Sequence, residues 1–423
     1  MEKKQFPFVL KQPRSPIPLA LMVSEPGSFA QYTLRERFPA ILQRAIAENS
    51  FSQSAVTNLD ALATELLDGV IRPIQADGGT DGAAWAGYMQ PFQDNSWFDT
   101  PFYFAEAYFY RRILEAISYF QVEPDHRCDP YAGQKQQSLV TAIEAIRTIA
   151  SQRSPATPDV TTQDEYRREL IRLLHLALWG NRVDLSLWSA EESSRIRTQV
   201  EQEEAHLLVN DSDRIVDYLS QTKICRLDIV ADNAGFELVC DLVLVDFLLS
   251  SLSVEIIYLH LKPYPIFVSD AMVQDVHHTL TTLAVDPQDA MRSLAARLQS
   301  FVAMGHLGLQ DDLFWVAPLP FWEMLQTLQQ ELAQSSLVII KGDANYRRLA
   351  GDCHWAMTTP IETIVNYFPA PLVALRTLKS EVVVGLRSRQ IEQLDRDDPD
   401  WCINGQWGVI HFVNPLTLAT VHL

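Results

Sequence analysis

The chain has 423 residues, 53 of them acidic and 34 basic, for a net charge of -19, and it is long enough for two domains because single cores seldom keep growing past about 250 to 300 residues. A surface of that sign repels phosphate backbones and anionic lipid, so neither nucleic acid nor membrane is an expected partner, although a local site can still hold a small anion. The five cysteines, Cys128, Cys225, Cys240, Cys353 and Cys402, are odd in number and include no Cys-x-x-Cys pair, which argues against a disulfide framework or a structural zinc site.

Near the N-terminus the apolar run "IPLALMV" is interrupted by prolines and is followed by no clean small-residue cleavage site. The later run "LVCDLVLVDFLL" is too short to span a bilayer and carries two aspartates. Together they predict a soluble, cytoplasmic protein. From about residue 28 to 221 apolar residues recur at helical spacing, as in "TLRERFPAILQRAIAEN", "FYFAEAYFYRRILEAISYF" and "YRRELIRLLHLALWG". Residues 1–221 are therefore expected to form an all-helical N-terminal domain. Within it Glu106 sits either on a solvated stripe or as a buried carboxylate facing the rest of the protein. Gly180 is placed to cap the helix before "NRVDLSLW", whose Asn181 and Asp184 either fix a loop or serve the site.

After Lys223 the pattern changes. Short β-branched runs, "CRLDIVA", "VEIIYLHL", "SLVIIKG" and "PLVALR", alternate with helical segments, and "QWGVIHFV" supplies one more candidate strand. That alternation predicts a mostly parallel sheet covered by helices over residues 222–423, an α/β domain. In open sheets of this kind ligands gather beyond the carboxyl ends of the strands. Asp232 and Asn233 follow the first run, Ser269 and Asp270 close the loop after the second, "KGDANYRR" follows the third and "RTLKSE" the fourth.

Asp232, Asn233 and Asp270 are hard oxygen donors suited to Mg²⁺ or Mn²⁺. The alternative is a turn in which Asp232 and Asn233 cap the next helix, with Gly235 easing the bend. Lys341, Arg347, Arg376 and Lys379 are candidates for a phosphate clamp, joined by backbone amides of "GDANYR" at a helix start. Read singly, Arg347 and Arg348 fit the surface of a solvated helix better than a clamp, and the acidic trio nearby is what favours the clamp. No Gly-x-x-x-x-Gly-Lys-Ser/Thr loop, Gly-x-Ser-x-Gly elbow or His-Glu-x-x-His motif is present, and "DNAGFE" stands where a Gly-rich dinucleotide or methyl-donor loop would fall.

"ADNAGFELVCDLVLVDFLL", "FVSD", "KGDANYRRLAGD", "YFPAPL" and "RTLKSEVVVGL", preceded by "LWGNRVDLS", resemble the metal-dependent damage-control phosphatases. The branch is the one that includes sugar phosphate phosphatases also described as acidic residue methyltransferases. The resemblance runs from "GSFAQYTLRERFPAIL" to the C-terminus, and the Arg-Thr-x-Lys motif is specific to this branch. It implies a three-layer αβα sandwich with a helical N-terminal domain. It implies metal ligation by Asp232, Asn233 and Asp270, and substrate contacts by Asp232, Asp343, Ala344, Asn345, Tyr346, Arg347, Arg376, Thr377 and Lys379, with Glu106 added as a candidate. Glu237 matches the glutamate of the family's Asp-Asn-x-Gly-Phe-Glu motif.

The implied activity is hydrolysis of sugar phosphate monoesters such as fructose 1-phosphate and fructose 6-phosphate with Mn²⁺, Ni²⁺, Co²⁺ or Mg²⁺. Asp232, Asp343, Arg347 and Lys379 are its expected catalytic groups. The nucleophile is metal-bound water or Asp232, and a protonated Asp343 or Glu106 is a candidate to assist the leaving group. Two rival readings are an S-adenosylmethionine-dependent protein glutamate methyltransferase and a non-catalytic protein that binds metal and sugar phosphate.

Overall fold

A computed structural model of the chain describes residues 13, 16–122, 127–152, 162–180, 204–251 and 254–415. Asn181 and Asp184 lie outside these residues. Seven strands, β1 Leu207–Asn210, β2 Ile224–Val230, β3 Val254–Leu261, β4 Leu307–Asp311, β5 Leu337–Lys341, β6 Leu372–Thr377 and β7 Gly408–Val413, form one sheet in the order β1-β7-β6-β5-β2-β3-β4. All neighbours pair in parallel except β6 and β7. The chain winds outward from β2 through β3 to β4, then crosses back to β5 on the other side of β2. The switch point of the winding therefore lies between β2 and β5, where their loops leave in opposite directions and open a crevice.

The five expected strands are all present. Two more, β1 and β4, were not expected because "LLVN" and "LGLQD" are short and carry little β-branched character.

Central strands are buried on both faces, which is why they read as continuous apolar runs. On one face Val230, Val338, Ile340, Leu372 and Ala374 pack with Phe38, Leu42, Leu59, Phe109 and Ile113 of the early helices. On the other, Leu227, Ile229, Ile257, Leu259, Ile339 and Val373 pack with Ile146, Leu173, Ile215, Leu244 and Leu294. This is a three-layer α/β sandwich. Helices and a strand from before residue 221 enter both cores and the sheet itself, so the boundary expected at 221/222 does not separate one core from another.

Burial explains two helices that lack a polar face. Phe102–Ala116 is buried at every position, and its charged residues are all paired. Arg111 meets Asp77 and Asp81, and Arg112 meets Glu65 and Glu115. Helix Phe236–Ser250 is buried at every position but its last. There Asp241 accepts from Lys341 and Asp246 from Arg297. Gly180 stands at the C-cap of the helix Gln163–Trp179, but with φ -56° it keeps right-handed helical backbone instead of the left-handed turn a glycine cap allows. Among the described residues no helix is long and apolar enough to cross a membrane.

Candidate active site at the switch point

The loop after β2 is held to the loop after β3 by its backbone. Asn233 and Asp270 form an isolated antiparallel bridge, with Ala234 N donating to Ser269 O at 2.7 Å and Ala271 N to Asp232 O at 2.8 Å. Asp232 and Asp270, 38 residues apart in sequence, are thereby fixed side by side. Gly235 takes φ 71° to turn the chain into the helix Phe236–Ser250, a region open to glycine at little cost. Gly342, directly after β5, has φ 86°, and a Cβ there would lie 2.1 Å from Asp232 Cγ. Only glycine lets β5 pass this close to the carboxylate.

The turn before Asp270 is strained. Phe267 and Val268 have φ of 50° and 66°, in a region where a β-branched residue is an outlier. Phe267 is held there by the rings of Tyr103 and Tyr110, with centroids 5.9 and 5.2 Å away.

Asp232 is 6% exposed and Asp270 2%. Burial, followed by the charges of Glu237 and Asp270, pushes the Asp232 carboxyl well above the usual carboxylate range. Burial likewise pushes Asp270 up to about 6, against the pull of Lys262. Asp270 Oδ2 is buried with no hydrogen-bond partner, and Lys262 Nζ stands 3.4 Å from it. Asn233 turns Nδ2 to Asp232 Oδ2 at 2.6 Å and to Glu237 Oε2 at 2.8 Å, while its Oδ1 accepts from Ser269 Oγ. Two crowded carboxylates lacking a full set of partners, with an amide oxygen beside them, fit a hard divalent cation. Among the described residues no group of three His, Cys, Asp or Glu side chains is gathered for a metal. The third donor of this set would be the Asn233 amide.

On the β5 and β6 side the cations are distributed differently from the expected clamp. Lys341 is buried and donates to Ala177 O at 2.6 Å, Glu237 Oε1 at 2.9 Å and Asp241 Oδ1 at 2.7 Å. All three of its protons are engaged beneath the site. Arg347 pairs with Asp352 through Nε and Nη2 at 2.7 and 2.8 Å and with Glu106 through Nη1. Glu106 is thus a buried carboxylate, and neither it nor Arg347 lies on a solvated face. Arg348 is buried too, with its guanidinium over the rings of Phe314 and Phe321.

Arg376 donates to Asp343 Oδ1 at 2.8 Å, to Val382 O and to Ser380. It lies over the ring of Tyr346, in the geometry of a cation–π contact. Asn345 donates to Ala231 O and Lys341 O, and Thr377 is buried. Of the expected substrate contacts, Asp343, Ala344 and Lys379 are half-buried. Lys379 Nζ has no hydrogen-bond or ion-pair partner among the described residues. Of the nearby cations, its charge acts most strongly on Asp232.

The carboxyl groups differ in ways that bear on acid chemistry. Burial alone would raise Asp343, but Arg376 and then Arg347 outweigh it and hold the group below its ordinary range. Asp343 is therefore ionised and not the expected proton donor. Glu106 is raised by burial, with its ion-pair partner Arg347 pulling the other way. Asp352, the last residue of "KGDANYRRLAGD", and Lys262, directly after "VEIIYLHL", were given no role from the sequence. Their roles depend on folding distances that spacing does not carry.

A doubly wound sheet with hard oxygen donors and a free lysine at its switch point has the layout of an enzyme acting on a small phosphorylated compound. The family model described as the damage-control phosphatase ARMT1-like domain matches residues 33–394. The chain is 34% identical to damage-control phosphatase ARMT1 of Danio rerio over 440 aligned residues, covering 94% of this chain and 97% of that one. It is 34% identical to the Mus musculus protein of the same name over 438 residues, covering 94% and 99%. A solved structure of a DUF89 family protein from Pyrococcus horikoshii overlaps 86% of this chain and 93% of that one at 14% identity, with a TM-score of 0.46. The chain belongs to the ARMT1-like damage-control phosphatase family.

Proposed function

We propose that this phosphatase hydrolyses phosphate monoesters of sugars, with fructose 1-phosphate and fructose 6-phosphate as representative substrates, and that it requires Mn²⁺, Ni²⁺, Co²⁺ or Mg²⁺. The observation that carries the reading is the pair of buried carboxylates, Asp232 and Asp270, clamped together by backbone hydrogen bonds and faced by the unpaired Lys379. Asp232, Asn233 and Asp270 would hold the cation, which when bound supplies neutralisation of phosphoryl charge. Lys379 meets a phosphoryl oxygen as a point charge.

Arg376 and Arg347 act through Asp343, Glu106 and Asp352, setting their positions and charge. Asp343 in turn accepts from the backbone N of Lys379 at 3.1 Å, fixing the start of the loop that carries the lysine side chain. Tyr103 and Tyr110, both buried, pack on Phe267 in the turn before Asp270.

The test is phosphate release from a panel of sugar phosphates by the chelated protein with each divalent metal restored in turn. Activity only with metal supports the reading, and full activity in metal-free protein overturns it. Tight S-adenosylmethionine binding without phosphate release would favour the methyltransferase instead. Binding of metal and sugar phosphate without turnover would favour a sensor.

A further inference from the structure

Asp241, Lys341, Glu237, Asn233 and Asp232 form one continuous chain of polar contacts running from the helix Phe236–Ser250 to the crevice. Its members come from three places: the loop after β2, the helix that follows it, and the last residue of β5. Asp241, Glu237 and Lys341 are all buried, and Lys341 has no proton left for a ligand. The lysine that stands at a strand end as if to meet phosphate is instead a fixed part of the floor.

The consequence falls on Asn233. An amide side chain presents an oxygen on one side and a donor on the other, and its neighbours decide which faces where. A carboxylate paired with an ammonium has no hydrogen to give, so Glu237 Oε2 can meet Asn233 only through Nδ2. That contact is present at 2.8 Å. Fixing Nδ2 there turns Oδ1 toward the loop of Ser269 and Asp270, where Ser269 Oγ now donates to it. Without the glutamate, Nδ2 would be held only by Asp232 Oδ2, and either orientation of the amide would find a hydroxyl partner in Ser269, which can donate or accept.

We infer that Glu237, anchored by Lys341, is a positioning residue that selects the orientation of the Asn233 amide and so presents Oδ1 as an oxygen donor beside Asp270. The inference rests on the proposed cation site. Partners that orient a ligand from behind typically change metal affinity by about 10 to 100-fold when removed.

The experiment is calorimetric titration of Mn²⁺ into the chelated full-length protein, comparing wild type, Glu237→Gln and Asp241→Asn. Both substitutions remove one negative charge from the same lysine, but only the first touches Asn233. Glu237→Gln should weaken Mn²⁺ binding about tenfold or more, while Asp241→Asn stays within about twofold of wild type. Equal losses in the two variants would reduce the effect to general charge, and no loss in Glu237→Gln would show that Asn233 needs no anchor. Either result overturns the inference and leaves the metal site standing. A wild-type protein that does not bind Mn²⁺ overturns both.

Melting curves identify a variant that fails to fold. In that case the triple variant Glu237→Gln, Asp241→Asn and Lys341→Met, which removes all the charges of the buried cluster together, takes its place with the same expected loss.

Discussion

The two halves of the crevice treat charge in opposite ways. On the β2 and β3 side, Asp232 and Asp270 are crowded together and raised by burial, with one carboxylate oxygen left without a hydrogen bond. On the β5 and β6 side, Arg347 and Arg376 are each closed by carboxylates and carbonyls, while Lys379 Nζ has no such partner among the described residues. A charged group whose partners are already supplied by the protein is scaffolding, because removing it strands a buried partner. A charged group without them is available to a ligand. Binding is expected where partners are missing, and stability where they are complete.

The largest effect should come from the completed side. Arg376→Met leaves the half-buried Asp343 without its main cation and the carbonyls of Ser380 and Val382 without their donor, and should lower unfolding free energy by about 3 kcal/mol in urea denaturation. Unchanged stability with lost turnover would move Arg376 from the scaffold to the ligand.

Next is Asp232→Asn, which should reduce turnover by about 10² to 10³-fold yet give a metal-free protein at least as stable as wild type, since it relieves repulsion with Asp270. Wild type should gain about 2.7 kcal/mol from Mn²⁺ at a hundred times the dissociation constant, and the variant little of it. A variant stabilised equally by Mn²⁺ would remove Asp232 from the site, as would a simple turn-and-cap role, for which asparagine serves nearly as well.

Lys379→Met should lower turnover by about 10²-fold while stability changes by no more than about 0.5 kcal/mol and Mn²⁺ binding is retained. Retained kcat/KM would make Lys379 an ordinary surface lysine.

The smallest effect concerns acid sensitivity on the completed side. His411 is buried and stacks on Tyr346, whose ring also carries Arg376. Burial lowers its pKa to about 4, below the ordinary 6.5. The unfolded chain therefore takes up the proton first, so stability present above pH 6.5 is lost as pH falls toward 4. The loss for this residue reaches about 2 kcal/mol at pH 5. His411→Leu should flatten the fall in denaturant midpoint between pH 7 and 5. An unaltered slope would show that His411 protonates in the folded protein as readily as in the unfolded one.

The main lines of the fold were legible because they are written in local pattern. Buried parallel strands read as apolar runs, and the break at Lys223 marks where their alternation with helices begins. The strand-end acids Asp232 and Asp270 were legible for the same reason, since the winding of an α/β sheet sends every such loop to one edge. The short strands β1 and β4 were not legible, because their strand character comes from pairing with β7 and β3 and not from composition. Nor was the sharing of both cores by the early helices, because a buried stripe does not say which face of the sheet it will meet.

What the sequence by itself determined was the sandwich and the set of side chains brought to its edge, through apolar periodicity and the position of each residue after a strand. What only the tertiary structure decided was which of those charges are satisfied. Lys341, Arg347, Arg376 and Lys379 are alike as cations in a linear reading. They separate only when Glu237 and Asp241, Glu106 and Asp352, and Asp343 come within 3 Å of the first three. Hydrogen bonds and ion pairs of that kind depend on distances of a few ångströms between segments as much as 241 residues apart. No spacing along the chain encodes those distances.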